Sequence, residues 1–442
     1  MSGSAEVSGG GSGRRLRWRP RLTGALASRN FRLLAGCDVT SQAGSAMATV
    51  AVPFAVLRAG GSATDVGFVA AAGIVPTVAL LLFGGVLADR IPRQRVMVGA
   101  NAVQALSQAV FAVAVLTGRT RLWEMALLAA VRGAANGFYL PAAMGLLPQT
   151  VPAVHLSSAN AIARLGMNSA QIAGAALGGV VVGLLGPGWG LAADSASFAV
   201  AAALRAGMRL GALPPADRAG FLSELRDGWR AFTARRWLWA IVVQFGLVNA
   251  VFTGAFSVLG PVVADYRLGG AASWGAITAA EAAGSVVGAA LMVRWRPARL
   301  LRAASLAVPL LALPLLALAV PLATAVVAAA AFACGAGGEI FAVNWSTAMQ
   351  QQIPPDLLSR VSAYDALGSL ALSPAGTAAA GPIAAAVGLT AALAGGGVLI
   401  VASAACVLTV AEVRHLTRHP PEPAEPPSAD AADAAGEHQP CG

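Results

Sequence analysis

Long apolar segments recur along the whole chain and are separated by short polar links. Each segment is close to twenty residues long, which is enough for a helix to cross roughly 30 Å of hydrocarbon. The pattern predicts an all-α, polytopic membrane protein with twelve transmembrane helices. We place these spans at residues 33–57, 66–88, 96–117, 123–147, 162–186, 190–209, 238–262, 273–293, 303–321, 323–347, 362–387 and 390–412.

The composition supports a membrane location. Of the 442 residues, 57% are hydrophobic and 11% are charged, and the mean hydropathy is +0.69. An average soluble domain carries about 25% charged residues. A soluble fold of this length cannot bury so much apolar surface. Many segments are rich in Ala and Gly, and such small residues allow close helix packing in lipid.

A polar link divides the predicted spans into two groups of six. It contains the sequence FLSELRDGWRAF, whose spacing is typical of an amphipathic helix. The domains predicted in this way are a disordered basic cytoplasmic tail (1–30), a six-helix half (31–209), a cytoplasmic linker with an amphipathic helix (210–237), a second six-helix half (238–412) and a disordered Pro-rich acidic cytoplasmic tail (413–442).

The net charge of +10 comes entirely from arginine, because all 30 basic residues are Arg. With the N-terminus inside, most of them lie at inner ends and links, and these include the seven from Arg205 to Arg236 at the link between the two halves. Those in predicted outer loops are Arg58, Arg119, Arg121 and Arg267. This bias predicts that both termini are cytoplasmic. The many Arg and Ala residues, with no Lys, suggest a high-GC bacterium, and we expect the protein in its inner membrane. The positive charge then faces anionic lipid of the bilayer, and no nucleic-acid partner is needed to explain it.

The link after the second span reads GGVLADRIPRQR and raises a chemical question. Its arginines orient the helix pair, but an acid beside the bilayer is costly unless it is paired. Pro92 ends the helix, and the glycines let a neighbouring backbone approach closely. We therefore predict a gating loop, formed by Gly85, Asp89, Arg90, Pro92, Arg93 and Arg95.

The same stretch, read as G-x-L-A-D-R-x-P-R-x-R from Gly85 to Arg95, resembles the loop between spans 2 and 3 of the major facilitator superfamily. The segments GFYLPAAMGLLPQTVP (137–152) and AMQQQIPPDLLSRVSAYDALGSLALSPAG (348–376) are similar to its enterobactin-exporter-like and macrolide-efflux-like branch. The resemblance implies two six-helix halves that rock around a central cavity, with spans 1, 2, 4, 5, 7, 8, 10 and 11 lining it. One departure is Ala175 after Gly174, where the family usually has Gly-Pro.

Ionisable residues inside a membrane are expensive and mark functional sites. The sequence places five such residues mid-span, and all five are on spans that line the cavity: Asp38, Arg132, Glu281, Glu339 and Asp365. Four are candidates for proton coupling, in the order Glu281, Asp38, Glu339 and Asp365. The substrate-cavity candidates are Arg132, Gln42, Asn136, Asn168, Gln171, Gln244, Asn249, Asn344 and Trp345.

Purely structural roles stay open for several of these residues. Arg132 is equally explained as the partner of a carboxylate, and Trp345 as a packing residue. Asp194 is interpreted as a helix cap or an interface residue near the outer end of span 6. The amides Asn101, Gln104 and Gln108 share one face of span 3, which we expect to pack toward span 2.

The sequence has no phosphate-binding loop, catalytic elbow or metal-ligand spacing, so neither an enzyme nor a metal or other cofactor is predicted. The resemblance implies a secondary transporter, and the acids and amides on its lining spans favour amphiphilic, drug-like small molecules that are exported in exchange for protons. We expect it to be a monomer. Two alternatives stay open. One is an exporter of a siderophore or another secondary metabolite, in which Arg132 meets an anionic group. The other is a membrane receptor that does not transport.

Overall fold

A computed structural model describes residues 22–144, 146–209, 226 and 229–417. Within these ranges it does not describe the side chains at 22, 23, 82, 84–90, 144, 153, 157, 355, 356, 359, 360 and 363. The described residues contain no β-strand, and an isolated bridge joins Arg299 to Thr417. The all-α membrane fold that the hydrophobic pattern predicts is therefore confirmed.

The first group of long helices follows the predicted spans closely. A short helical turn, Leu22–Ala27, precedes α1, whose N-terminus is capped by Ser28. The Ser28 hydroxyl accepts the amide of Phe31 and itself donates to the Thr150 carbonyl, so the cap also ties α1 to a distant link. The helices are α1 Arg29–Arg58, α2 Ala63–Arg90, α3 Arg93–Leu116, α4 Leu122–Met144, α5 Leu156–Leu184 and α6 Pro187–Ala206.

The second group is less regular. Its helices are α7 Arg236–Leu268, α8 Ala271–Arg294, α9 Leu300–Ala319, α10 Thr324–Gln352, α11 in two parts, Pro355–Leu370 and Ser373–Val387, and α12 Leu389–Val407. The second half of α7 contains two π-helical turns, Thr253–Leu259 and Ala264–Leu268. A 3₁₀ turn at Val308–Ala312 interrupts α9, where Pro309 cannot donate a backbone hydrogen bond.

Ten helical stretches of the described chain are long and apolar enough to cross a membrane. The two predicted spans outside these ten coincide with α4 and α6. Both helices carry charged residues, with Arg132 on α4 and Asp194 and Arg205 on α6. The count of twelve spans stays a prediction.

The helices pack mainly within two groups, α1–α6 and α7–α12. Contacts between the groups run chiefly through α5 with α8 and α2 with α11. The contact between α5 and α8 is made by glycines, because a Cβ on Gly179 would lie 2.9 Å from the Cα of Gly275. Likewise a Cβ on Gly381 would clash with the Cα of Thr64 where α11 meets α2. The domain boundaries drawn from the sequence stay predictions.

Both crossings between the groups lie toward the same end of the molecule. Gly179 is near the end of α5, and Gly275 is near the start of α8. Thr64 is near the start of α2, and Gly381 is near the end of α11. The arginine distribution assigns these helix ends to the outside. The two groups are thus closely packed at the end predicted to be outside.

Candidate functional site

One polar cluster in the first group joins α1, α4 and α6. Arg205 is 0% exposed and forms an ion pair with Asp38. Its guanidinium also donates to the Tyr139 hydroxyl at 2.6 Å and lies 4.9 Å from the centre of that ring. The sequence assigned Arg205 to the positive charge of the cytoplasmic link, but the structure buries it. Asp38, a proton-coupling candidate, is already neutralised by this arginine.

A second cluster joins α1, α3, α4 and α6. Nε of Arg132 lies 3.7 Å from a carboxylate oxygen of Asp194. Asp194 is fully buried and also accepts a hydrogen bond from Gln108 at 2.5 Å. Nη2 of Arg132 donates to the Ser45 hydroxyl at 3.2 Å, and its Cζ lies 5.6 Å from the Phe198 ring centre. The alternative in which Arg132 partners a carboxylate is the one that the geometry favours.

The amides of α3 face a different helix from the one expected. Gln108 contacts Asp194 of α6, and Gln94 donates to the carbonyls of Arg205 and Met208 at the end of α6. Asn101 and Gln104 lie between them and are buried. The expectation that this face packs toward span 2 is therefore wrong. These hydrogen bonds show that the amide face of α3 packs on α6. The buried polar groups of α6 need hydrogen-bond partners, and the amides supply them.

Asp194 does not cap a helix, because α6 begins after Gly186 and Asp194 lies two turns inside it. The outer position suggested a cap, but the carboxylate instead meets Arg132 and Gln108. Four residues of these polar clusters were not predicted from the sequence as site residues: Asp194, Arg205, Tyr139 and Gln108. The signal of Asp194 in the sequence is an acid within an apolar run.

The carboxylates of the second group have no such partners. Glu281 on α8 and Glu339 on α10 are half-buried, and neither carboxylate forms a hydrogen bond or ion pair with any described residue. The backbone of α8 packs closely on α10 at this position, since a Cβ on Gly335 of α10 would clash with the backbone carbonyl oxygen of Glu281. These two acids therefore differ from Asp38 and Asp194, each of which has an arginine.

Three candidates come together in a cavity of about 250 Å³ between α7, α10 and α11. Asp365 accepts hydrogen bonds from Nε1 of Trp345 at 3.0 Å and from the Ser369 hydroxyl at 3.4 Å. The Asn249 amide donates to the Ser369 carbonyl at 2.9 Å. Asp365, Trp345 and Asn249 all line this cavity, so the structure brings an acid, an indole and an amide to one place.

The other amide candidates are distributed around both groups. Gln42 on α1 and Gln171 on α5 are hydrogen-bonded to each other. Asn136 and Asn168 are half-buried. Gln244 is buried with both amide atoms unpartnered, while the Asn344 amide donates to the Ile340 carbonyl at 2.8 Å. These six are not gathered around one point in the described contacts.

Only part of the predicted gating loop is described. Pro92 precedes α3 at its N-cap position, Arg95 is exposed and Arg93 is half-buried. The side chains of Asp89 and Arg90 and the surroundings of Gly85 are not described, so the role of Asp89 stays a prediction. Gln94 anchors the start of α3 to the end of α6 through its two hydrogen bonds.

No cluster of three or more His, Cys, Asp or Glu side chains with metal-binding geometry occurs in the part of the chain that is described. The polar groups present can hold charges and exchange partners between packed helices. This is the chemistry expected of a membrane carrier, whose ionisable residues lie between its spans.

Residues 34–375 match the sequence profile of the Major Facilitator Superfamily. The match spans most of the chain, which therefore belongs to this superfamily and is a transporter of its class. The resemblance drawn from the loop at Gly85 to Arg95 is confirmed.

Among curated relatives, the multidrug efflux pump Tap of Mycolicibacterium fortuitum is 28% identical over 368 residues, covering 79% of this chain and 88% of Tap. Among solved structures, the peptide transporter POT with sulfate gives a TM-score of 0.70 at 13% identity, covering 89% of this chain and 96% of that one. The nucleoside transporter NupG gives 0.68 at 12% identity, covering 86% and 98%. These two likenesses show the fold alone.

Proposed function

We propose that the chain is a secondary transporter that exports amphiphilic small molecules in exchange for protons. The observation that carries the proposal is an uneven charge distribution. The acids Asp38 and Asp194 of the first helix group are paired with arginines. Glu281, Glu339 and Asp365 of the second group have no cationic partner among the described residues.

Unpaired carboxylates inside a membrane supply the exchange that an antiporter requires. An ionised carboxylate left without a partner in an apolar medium costs several kcal/mol. Either a proton or a cationic substrate removes that cost, and the two exclude each other at one carboxylate. Glu281 and Glu339 both lack a hydrogen-bond donor among the described residues. Glu281 is the first candidate for the proton carrier, because it lies near the middle of α8 and its neighbours in sequence are small. Asp38 is the weaker candidate, because Arg205 already neutralises it.

Transport by alternating access is consistent with the packing between the helix groups. In this superfamily the halves rock around a site near the bilayer midplane. The crossings of α5 with α8 and of α2 with α11 lie at the end assigned to the outside, which corresponds to a conformation closed there. The cavity beside Asp365 lies nearer the opposite end, because its lining residues fall in the first half of α7 and the first half of α11. Such a site loads from the cytoplasm, as export requires.

Export of drug-like molecules draws further support from Tap, whose name describes a multidrug efflux pump. The siderophore alternative relied on Arg132 as a partner for an anion. Arg132 is occupied by Asp194, which makes an anionic substrate less favourable at that position. A receptor that does not transport has no need for unpaired acids on α8, α10 and α11.

The location proposed is the inner membrane of a bacterium, as a monomer with both termini in the cytoplasm. The arginine bias supports this orientation. The partners proposed for the protein are the lipid bilayer, its small-molecule substrate and protons. Reporter fusions within 210–237 and after residue 417 test the orientation. Signals typical of the cytoplasm are expected at both positions, and a periplasmic signal at either one contradicts the proposed topology.

A reconstituted system tests the function directly. Purified protein in liposomes, with an imposed pH gradient of the physiological direction, should drive movement of a fluorescent cationic dye such as ethidium. Collapsing the gradient with a protonophore should stop it. Dye movement that ignores the gradient contradicts proton coupling, and dye binding without movement supports the receptor alternative.

A further inference from the structure

Asp365 occupies an unusual electrostatic position in the cavity between α7, α10 and α11. Two neutral donors, Trp345 Nε1 and the Ser369 hydroxyl, fix its carboxylate at 3.0 and 3.4 Å. No described Arg or His forms an ion pair with it. Neutral donors orient an anion but do not compensate its charge, and membrane-embedded charges are normally paired. The carboxylate therefore lacks a positive partner.

One wall of the same cavity is aromatic. The rings of Phe245 and Phe341 are stacked, with centroids 4.3 Å apart and planes 3° apart. Phe341 in turn stacks on Trp345 at 6.3 Å and 17°. All three residues line the cavity. The face of such a ring is electron-rich and its edge is electropositive. A cation is therefore favoured over a ring face, by about 0.5–2 kcal/mol depending on desolvation.

The remaining lining excludes other substrate classes. It consists of Asn249 and four apolar residues whose side chains offer no hydrogen bonds, Ile241, Ala342, Ala366 and Leu370. The Asn249 amide already donates to the Ser369 carbonyl. A sugar or peptide would lose more hydrogen bonds to water than this cavity replaces. An anionic group would face Asp365 without any compensating cation.

We propose that this cavity binds the ammonium group of an organic cation, with Asp365 as its counter-ion and Phe245, Phe341 and Trp345 as its aromatic wall. The volume of about 250 Å³ is below the range of ordinary ligand pockets, which span roughly 300–1,000 Å³. The cavity therefore binds the charged head of an amphiphile, and the apolar part of the amphiphile extends outside the cavity. The assignment of this molecule as a transported substrate rests on the function proposed above; the binding itself does not.

Two isosteric probes test the proposal without any transport step. Benzyltrimethylammonium carries a permanent positive charge, and neopentylbenzene has a carbon atom in place of the charged nitrogen. Binding of each to the full-length protein in nanodiscs is measured by equilibrium dialysis at one pH, with uptake by empty nanodiscs subtracted. The wild-type protein should bind the cation at least about tenfold more tightly, which corresponds to about 1.4 kcal/mol. Equal binding of the two probes overturns the proposal.

Variants then locate the site. Asp365→Asn removes the charge but keeps an oxygen that accepts from Trp345, so cation binding should fall about tenfold or more while binding of the neutral probe is unchanged. Phe341→Leu should weaken cation binding by a few-fold. Asp265→Asn is the matched control, because Asp265 is exposed at the far end of α7. Its cation affinity should equal that of the wild type.

The outcomes separate this proposal from the proposed function. If Asp365→Asn and Phe341→Leu both bind the cation as the wild type does, the cavity is not the site, whatever the transport result. If both variants lose cation binding but a pH gradient drives no dye movement by the wild-type protein, the binding site stands and the proposal of proton-coupled export fails. Should Asp365→Asn not fold, Phe341→Leu and the wild-type comparison of the two probes still decide the matter.

Discussion

Arg205 on α6 donates a hydrogen bond to Asp38 on α1, although 167 positions separate them in the chain. The guanidinium is completely buried and also donates to the Tyr139 hydroxyl on α4. Three helices of the first group are thus joined at one charged contact. In a buried pair of this kind each charge depends on the other, because either one alone is left unsolvated.

The first prediction concerns this pair. Asp38→Asn and Arg205→Met should each lower the stability of the purified protein in detergent, by about 3–5 kcal/mol for loss of one partner of a buried pair. The double variant should be more stable than the sum of the two effects implies, because it leaves no isolated charge. Thermal unfolding measures all three. Additive losses in the double variant contradict the pairing.

The second prediction uses the difference in exposure between Arg132 and Asp194. The side chain of Arg132 is 34% exposed and that of Asp194 is 0% exposed. Arg132→Gln strands a fully buried carboxylate, whereas Asp194→Asn leaves an arginine that reaches water. Arg132→Gln should therefore reduce the melting temperature more than Asp194→Asn does. The reverse order would show that Asp194 has another compensating partner.

The third prediction concerns the crossing of α5 with α8. A Cβ on Gly179 would lie 2.9 Å from both the Ala271 carbonyl and the Cα of Gly275, which are backbone atoms that cannot rotate away. One turn further along α5, a Cβ on Gly183 would meet its nearest atom at 3.7 Å, an ordinary contact. Gly179→Ala should separate the outer ends of the helix groups, while Gly183→Ala should not.

Spin labels at Arg119 and Leu322, in a background whose cysteines are replaced by serine, report this separation. Both positions are exposed at the end assigned to the outside. Overpacking costs about 1–3 kcal/mol, so the population with the longer distance should rise about tenfold in Gly179→Ala. The same distance distribution in both variants would mean that this crossing does not control closure.

Much of the architecture was predictable because it is a local property of the sequence. An apolar run and its flanking arginines are read within twenty residues, and the helices from Arg29–Arg58 to Leu389–Val407 follow those runs. The loop at Gly85 to Arg95 identified the superfamily for the same reason. Irregularities such as the π-helical turn at Thr253–Leu259 depend on packing between helices and left no such local signal.

The pairing of polar residues was not predictable, because it depends on which helix faces meet. Asp38 and Arg205 each look like an isolated charge in the sequence, and Arg205 was counted with the cytoplasmic link. Gln108 was expected to face span 2, yet it contacts Asp194 of α6. The cavity beside Asp365 combines α7, α10 and α11, so its aromatic wall is visible only in three dimensions.

The fourth prediction concerns Glu281, the first candidate for the proton carrier. Its carboxylate has no hydrogen bond or ion pair with any described residue, and Glu281→Gln replaces it with a neutral group of nearly the same shape. In liposomes the variant should lose at least about nine-tenths of the dye efflux driven by a pH gradient, a tenfold change that corresponds to about 1.4 kcal/mol. Exchange of dye between the two sides without a gradient should persist, because substrate binding and rocking remain.

Glu124→Gln is the matched control for this substitution. Glu124 lies in the first turn of α4, where it accepts a hydrogen bond from the amide of Arg121 outside the cavity region. This variant should keep both activities. Loss of both activities in Glu281→Gln would point to a structural role for Glu281. Full gradient-driven efflux in Glu281→Gln would place the proton carrier elsewhere, and the same two assays on Glu339→Gln and Asp365→Asn would then identify which carboxylate couples the proton to the substrate.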